Sequence, residues 1–131
     1  MLSLAQPLAM NRDAANIPMD TRRQQQVAKL LQEEMAALFL KHGVDWYGKA
    51  FVTMTESTIT PDLEEARFYM SIYNVDNKQE TVDRLNGHAT DIRFQLGRRI
   101  RHQLRKVPHV EFFLDDGMER AERVDALLRE P

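Results

Sequence analysis

The chain has 131 residues, of which 43% are hydrophobic and 29% are charged, enough apolar material for one domain with a core. With 18 Lys and Arg against 20 Asp and Glu, the net charge of -2 indicates no general attraction to polyanions. The absence of cysteine excludes disulfides, thiolate catalysis and cysteine-based zinc sites. No apolar stretch approaches the ~18 residues that cross a bilayer, and the N-terminal segment fits a signal peptide poorly, so we expect a cytoplasmic protein.

The N-terminal part of the chain divides into an arm and the start of a fold. Residues 1–19 have no sustained hydrophobic period, which predicts a flexible arm, and a single domain is expected over 20–131. The spacing of Thr21 and Gln24 matches a capping box, which marks a helix start. Apolar residues then recur at helical spacing until Gly43, so the first helix is predicted over Thr21–His42.

The hydrophobic period changes from helical to alternating between Lys49 and Tyr73. Residues 51–55 are β-branched or bulky, and apolar and polar residues alternate over 66–73. Pro61 and Asp62 lie between the two runs, where the fixed φ of proline suits a turn. The pattern therefore predicts two antiparallel strands joined as a hairpin.

A second helical region is predicted over Gln79–Arg105, where apolar residues recur every three or four positions. Gly87 and Gly97 weaken helical structure within this region, so we expect a kink or a break. Pro108 ends the helical pattern, and the alternation over 110–114 predicts a third strand.

A short C-terminal helix is expected to complete the domain. Asp115 and Asp116 can cap it, and its apolar residues are Ala121, Val124, Leu127 and Leu128. The predicted order is helix, two strands, a kinked helical region, a strand and a short helix, which indicates an α+β fold of two layers. One face of the three-stranded sheet would then be open to water.

The basic residues are concentrated between Arg93 and Lys106, where no Asp or Glu occurs. On a continuous helix, several of them would project from the side opposite the apolar stripe; these are Arg98, Arg101 and Arg105, together with His102. Guanidinium groups can donate two parallel hydrogen bonds to a phosphate, so the pattern favours a nucleic-acid backbone as the partner. The alternative is a basic face that pairs with the acidic remainder of the chain or faces solvent.

A series of short sequence matches resembles the ribosome-binding factor A family over roughly residues 20–128. The matches are Thr60-Pro61-Asp62-Leu63, Ala66, Tyr69, Ser71, Arg93, Leu96-Gly97, Arg101, Pro108, Phe112 and Asp115. Further agreement is found at Arg22, Arg23, Val27, Glu119, Arg120, Asp125, Leu127 and Leu128.

The resemblance implies a KH-like domain of type II topology in a bacterial cytoplasmic factor. Such a factor binds the small ribosomal subunit and its rRNA, and it supports late maturation and rRNA processing, notably in the cold. The resemblance implies no enzymatic activity, no cofactor and no membrane or small-molecule partner, and we expect a monomer. The residues predicted to bind RNA are His88, Arg93, Arg98, Arg99, Arg101, Arg105 and Lys106.

The chain departs from the family pattern at the kink between the two helical segments. Where the family usually has a small residue, any residue and then glycine, this chain has His88-Ala89-Thr90, with Gly87 just upstream. The missing glycine affects how closely the backbone could approach RNA and how sharply the chain could bend.

Other functions find less support in the residues. The four histidines include no pair at the i, i+4 spacing of a helical zinc motif, and no phosphate-binding glycine loop or Ser-His-acid grouping is evident. Phe94 stands outside the apolar stripe among arginines, while Tyr69 and Tyr73 could stack on bases or cover the edge of the core. A protein adaptor that docks its basic helix on an acidic protein remains the alternative to RNA binding.

Overall fold

The structure is a computed structural model that describes residues 17–115. This part of the chain forms three helices and three strands, in the predicted order. They are α1 (Arg22–Tyr47), β1 (Phe51–Ile59), β2 (Glu65–Tyr73), α2 (Lys78–Gly87), α3 (Ala89–Ile100) and β3 (His109–Leu114). The α+β prediction is confirmed, whereas the predicted C-terminal helix and residues 1–16 of the predicted arm lie outside the described residues.

Helix α1 begins where the capping box predicts and ends later than Gly43 predicts. The Thr21 hydroxyl accepts from the Gln24 N–H at 3.1 Å, and the Gln24 side chain accepts from the Thr21 N–H at 3.2 Å. Gly43 is buried inside the helix, where a Cβ would collide with the Tyr47 ring. The helix ends instead at Gly48, whose φ of 77° lies in the region that glycine tolerates. The predicted end at His42 is therefore wrong, because Gly43 supplies space and not a turn.

The three strands form one sheet in the order β1-β2-β3. Strand β2 pairs antiparallel with β1 and parallel with β3, and a bulge interrupts the first pairing between Met54 and Glu56. In the turn between β1 and β2, the Asp62 carboxylate accepts from the Thr60 hydroxyl at 2.6 Å and from the Glu64 N–H at 3.0 Å. These two donors lower the pKa of Asp62. The predicted hairpin is confirmed.

The core lies between the helices and one face of the sheet. Alternate residues of β2 point into it, and the apolar stripes of the three helices cover them. Its largest fully buried side chains are Trp46, Phe68, Phe112, Leu31, Met35, Ile59, Met70, Ile72, Leu85, Ile92, Leu96 and Ile100. On the opposite face, Tyr69 and Phe113 stack with ring centroids 5.4 Å apart, so this face is only partly open to water.

The second helical region breaks at His88, as the two glycines predict, although neither glycine makes the break. His88 joins α2 to α3 with φ −99° and ψ 11°, a conformation that residues other than glycine can adopt. Its N–H donates to the Leu85 carbonyl, and its own carbonyl accepts from the Ile92 N–H, each at 2.9 Å. The missing glycine therefore does not prevent the break.

Helix α3 ends at Ile100, five residues before the predicted end at Arg105. The chain then turns through residues 101–103 and buries Leu104 before β3 begins. The predicted helical end is wrong because the N–H groups of Gln103 and Leu104 both donate to the Ile100 carbonyl, at 2.8 and 3.0 Å, and close a turn at that point. Further on, the Arg93 side chain donates to the carbonyls of Val107 and Pro108 and links the returning chain to α3.

The last residues of the predicted arm contact the domain. Ile17 is buried, the Pro18 carbonyl accepts from the Gln24 side chain at 3.2 Å, and the Met19 sulfur accepts from the Ile59 N–H at 3.5 Å. The Gln24 side chain also donates to the Ile59 carbonyl at 2.8 Å and thereby links α1 to β1. The domain boundary at residue 20 stays a prediction.

Candidate nucleic-acid interface

A groove of about 940 Å³ runs between α3 and the chain that returns from it to β3. Helix α3 forms one wall, and the other is formed by Glu64 with Lys106, Val107, His109 and Val110. Four of the predicted RNA-binding residues line it, namely Arg93, Arg98, Arg101 and Lys106. A single concave surface therefore brings together side chains from the helix and from the turn that follows it.

Close packing between α3 and the returning chain builds the groove. Gly97 faces Val107 so closely that a Cβ on Gly97 would lie 2.7 Å from the Val107 Cγ2. The half-buried Arg93 donates to the Val107 carbonyl at 2.8 Å and to the Pro108 carbonyl at 3.2 Å. Arg93 thus stabilises the groove wall and also belongs to the lining.

Arg99 lies outside the groove. Its Nε donates to the Glu34 carboxylate at 2.6 Å, and this ion pair joins α3 to α1. The charge of Arg99 is therefore compensated by Glu34, whereas its neighbour Arg98 has no carboxylate partner within residues 17–115.

Four other residues of the basic run have no such compensation in the described part of the chain. Within residues 17–115, the ion pairs involve Arg67 and Arg99, and no carboxylate pairs with the exposed side chains of Arg98, Arg101, Arg105 or Lys106. We call these four residues the basic cluster. Their only polar contact within this part of the chain is a hydrogen bond of 3.4 Å between Arg101 and His102.

The basic cluster is not the helical face that the sequence predicts. Only Arg98 belongs to α3, whereas Arg101, Arg105 and Lys106 lie on the turn beyond Ile100. Arg105 is exposed but does not line the groove. The cluster therefore combines one helical side chain with three from the segment that follows the helix. Contacts of Val107 with Arg93 and Gly97 link this segment to α3.

His88 occupies the junction of α2 and α3, next to Ala89 at one edge of the groove. Its half-buried side chain does not cap α3. The first turn of α3 is fixed from the other side, where the Trp46 indole N–H donates to the Asp91 carboxylate at 2.9 Å. Trp46 belongs to α1, so this hydrogen bond joins α1 to α3.

Several groove residues were missed at the level of sequence, namely Glu64, Thr90 and His109. Glu64 and His109 meet because the His109 N–H donates to the Glu64 carbonyl at 2.8 Å, where the parallel pairing of β2 and β3 begins. No local pattern indicates this contact between residues that are far apart in the chain. Phe94, which the sequence marks as unusual, does line the groove.

Neither a metal site nor a membrane-spanning helix is found in the described part of the chain. Residues 17–115 contain no group of three or more His, Cys, Asp or Glu side chains that could hold a metal ion. Among the same residues, no helix is long and apolar enough to cross a membrane.

The sequence of this chain is similar to proteins of one family. A family model described as ribosome-binding factor A matches residues 23–128. A ribosome-binding factor A from Cytophaga hutchinsonii is 37% identical over 110 residues, which cover 84% of this chain and 83% of that protein. One from Chlorobium phaeovibrioides is 40% identical over 110 residues, which cover 83% of this chain and 91% of that protein.

Solved structures show the same fold. The crystal structure of ribosome-binding factor A from Thermus thermophilus superposes with a TM-score of 0.58 at 14% identity, covering 70% of this chain and 94% of that one. The element order and the mixed sheet thus define a KH-like α+β domain, as predicted. Together with the sequence matches, this shows that the chain belongs to the ribosome-binding factor A family.

Proposed function

We propose that this chain is a non-catalytic, RNA-binding assembly factor that binds the small ribosomal subunit in the cytoplasm. It would support late maturation of the subunit and processing of its rRNA, notably in the cold, and would act as a monomer without a cofactor. Family membership supports the ribosome as the partner, because the relatives are named for binding ribosomes. The domain that performs this function would comprise residues 20–131.

The basic cluster is the observation that carries the proposal. Its four cationic side chains are exposed and have no carboxylate partner within residues 17–115. Cations that are not compensated within the protein release condensed counterions when they neutralise phosphates, and this release drives binding to nucleic acid. Arg93 and Arg99 would support this surface structurally, the first through backbone carbonyls and the second through Glu34.

A charge-reversal variant tests the proposal. We expect Arg98→Glu, Arg101→Glu and Arg105→Glu together to abolish co-sedimentation with small ribosomal subunits, while circular dichroism and urea unfolding remain those of a folded domain. The matched control reverses three exposed lysines elsewhere, Lys29→Glu, Lys41→Glu and Lys49→Glu, and changes the net charge equally. The control should still co-sediment. If both variants bind like the wild type, the proposal is wrong.

The second candidate is a protein adaptor whose basic cluster docks on an acidic protein. The same uncompensated charge favours it, since acidic peptides also attract guanidinium groups. Nuclease treatment of a lysate distinguishes the two, because release of the protein from its heavy sedimenting fraction supports RNA binding and retention supports the adaptor.

A further inference from the structure

Two neighbouring aromatic side chains remain exposed on the sheet. Phe51 of β1 and Tyr73 of β2 are direct partners in the strand pairing, and they are 65% and 56% exposed. They lie on the sheet face opposite the core, which also carries the stacked rings of Tyr69 and Phe113. We call this face the outer face. Adjacent aromatic rings that stay open to water on one face of a sheet indicate an interaction surface.

The end of β3 directs the chain onto the outer face. The Asp115 N–H donates to the Met70 carbonyl at 2.7 Å, so the chain still runs beside β2 at this point. The Asp115 carboxylate accepts from the Thr55 hydroxyl of β1 at 2.6 Å, a contact that crosses over β2. The Ser71 hydroxyl, which points away from the core, donates to the Asp115 carbonyl at 3.5 Å. The segment that follows Asp115 therefore begins at the outer face.

This segment, residues 116–131, lies outside the described part of the chain, and its sequence has the apolar pattern that the outer face requires. Its apolar residues recur at helical spacing with charged residues between them; they include Ala121, Val124, Leu127 and Leu128. An isolated helix shorter than about 12–15 residues is marginal in water, so an amphipathic segment of this length needs an apolar surface to pack against.

The dimensions of the outer face match such a helix. A helix over residues 118–128 would be roughly 15 Å long and about 10 Å across. The stretch of β2 from Tyr69 to Tyr73 spans about 13 Å, and a sheet of three strands is about 10 Å wide. One short helix could therefore cover the rings at both ends of this stretch.

The charges of the outer face favour an apolar segment over nucleic acid. Arg67, the basic residue that β2 places on this face, lies 3.5 Å from the Glu65 carboxylate and 3.7 Å from that of Glu111. A phosphate that approached Arg67 would meet both carboxylates. The basic cluster, in contrast, belongs to α3 and the segment that follows it.

We propose that residues 116–131 form an amphipathic helix that packs on the outer face, with its apolar stripe against Phe51 and Tyr73. The sheet is then covered on both sides, and the outer face is available neither to RNA nor to a second copy of the chain. This inference goes beyond the proposed function and does not rest on it, because it concerns a contact within the chain.

Hydrogen exchange of the full chain, followed by mass spectrometry, tests the packing. Amides of residues 121–128 should exchange about tenfold or more slowly than those of a free peptide with the same sequence, because packing protects them. Phe51→Ser together with Tyr73→Ser should abolish this protection. Protection of residues 66–72 should persist in the variant and shows that its sheet is folded.

The matched control is Leu40→Ser together with Val44→Ser. These residues are 91% and 75% exposed on α1, which packs on the core side of the sheet, so the control also removes two exposed apolar side chains. It should leave the protection of residues 121–128 unchanged. If the protection is absent in the wild type, or survives in Phe51→Ser with Tyr73→Ser, the inference is overturned.

A spin label gives a second readout that leaves the outer face unaltered. Because the chain has no cysteine, Arg123→Cys can carry a single nitroxide. The nitroxide should broaden the amide signals of Phe51 and Tyr73 and leave those of Leu40 and Val44 sharp. If the signals of Phe51 and Tyr73 are not broadened, the inference is overturned.

Two further samples distinguish the other possible occupants of the outer face. Nitroxide-labelled chain is mixed with ¹⁵N-labelled chain that carries no nitroxide, and the signals of Phe51 and Tyr73 should stay sharp; broadening would assign the outer face to a second copy. Single-stranded oligo(A) added to the wild type should leave these two signals in place, whereas shifts confined to the outer face would assign it to RNA. Either of these contrary results overturns the inference.

Discussion

The Arg99 guanidinium donates to the Glu34 carboxylate at 2.6 Å and thereby ties α3 to α1, while the adjacent Arg98 has no carboxylate partner within residues 17–115. Two neighbouring residues of the same type thus have different roles. Helical geometry explains the difference, because consecutive residues point about 100° apart. One side chain reaches α1, and the other lines the groove.

Replacing each of these arginines by glutamine separates the two roles. Arg99→Gln should lower the free energy of unfolding by at most about 1 kcal/mol, since the ion pair is partly exposed and screened by solvent, and should leave rRNA affinity unchanged. Arg98→Gln should leave stability unchanged, weaken rRNA binding and reduce its salt slope by about 1. Urea unfolding and filter binding check both. Equal losses of affinity in the two variants would contradict the assignment.

Asn86 protects the open edge of the sheet. Its side chain donates to the Phe112 carbonyl at 3.0 Å and accepts from the Phe112 N–H at 2.9 Å, so it pairs with edge strand β3 as a further strand would. Asn86→Ala should lower the free energy of unfolding by about 1–3 kcal/mol, because both backbone groups lose their partner.

The control for Asn86 is Gln79→Ala on the same helix. Gln79 is exposed and donates only to Asp83, at 3.0 Å, so its loss should change stability by less than about 0.5 kcal/mol. Chemical denaturation measures both variants. Equal stability of Asn86→Ala and Gln79→Ala would show that the edge of β3 does not depend on this side chain.

Gly97 sets the distance between α3 and the returning chain. Gly97→Ala should destabilise the domain by about 1–3 kcal/mol, because the new Cβ would lie 2.7 Å from the Val107 Cγ2. This steric cost exceeds the stabilisation of about 1 kcal/mol that alanine gains over glycine in a helix. The loss should be smaller in a Val107→Ala background, as a double-mutant cycle would measure. At Gly87, where a Cβ would meet nothing within 4 Å, alanine should not destabilise.

Arg93 is expected to act on stability more than on binding. Arg93→Ala removes the donor to the carbonyls of Val107 and Pro108, which should cost about 1–3 kcal/mol of unfolding free energy. Arg98→Ala removes the same charge from an exposed position and should cost less than about 0.5 kcal/mol. Thermal unfolding of the two variants under identical conditions compares them. Matching midpoints would mean that Arg93 does not stabilise the groove wall.

Much of the fold follows from local patterns in the sequence. Thr21 and Gln24 form the capping box that their spacing indicates, and the alternation in β2 places Phe68 and Met70 in the core. The helix ends were predicted less well because a glycine can serve two purposes. Gly43 makes room for the Tyr47 ring, whereas Gly48 ends the helix with a positive φ.

The candidate site could be predicted only in part. The sequence shows where basic residues are concentrated, but it does not show which of them pair with a carboxylate that is distant in the chain. The run of basic residues between Arg93 and Lys106 is evident in the sequence. The partner of Arg99 is Glu34, 65 residues away, and only the tertiary structure brings the two together. The path of the chain after Ile100 was likewise not evident, since the hydrogen bonds that link it to α3 join Arg93 to backbone carbonyls 14 and 15 residues away.

The salt dependence of binding to isolated small ribosomal subunits tests the basic cluster most directly. If Arg98, Arg101, Arg105 and Lys106 all contact phosphates, the logarithm of the wild-type association constant should fall with that of salt concentration with a slope of about −3. The variant with Arg98, Arg101 and Arg105 changed to Glu should show no measurable specific binding. A wild-type affinity that does not change with salt would contradict the account.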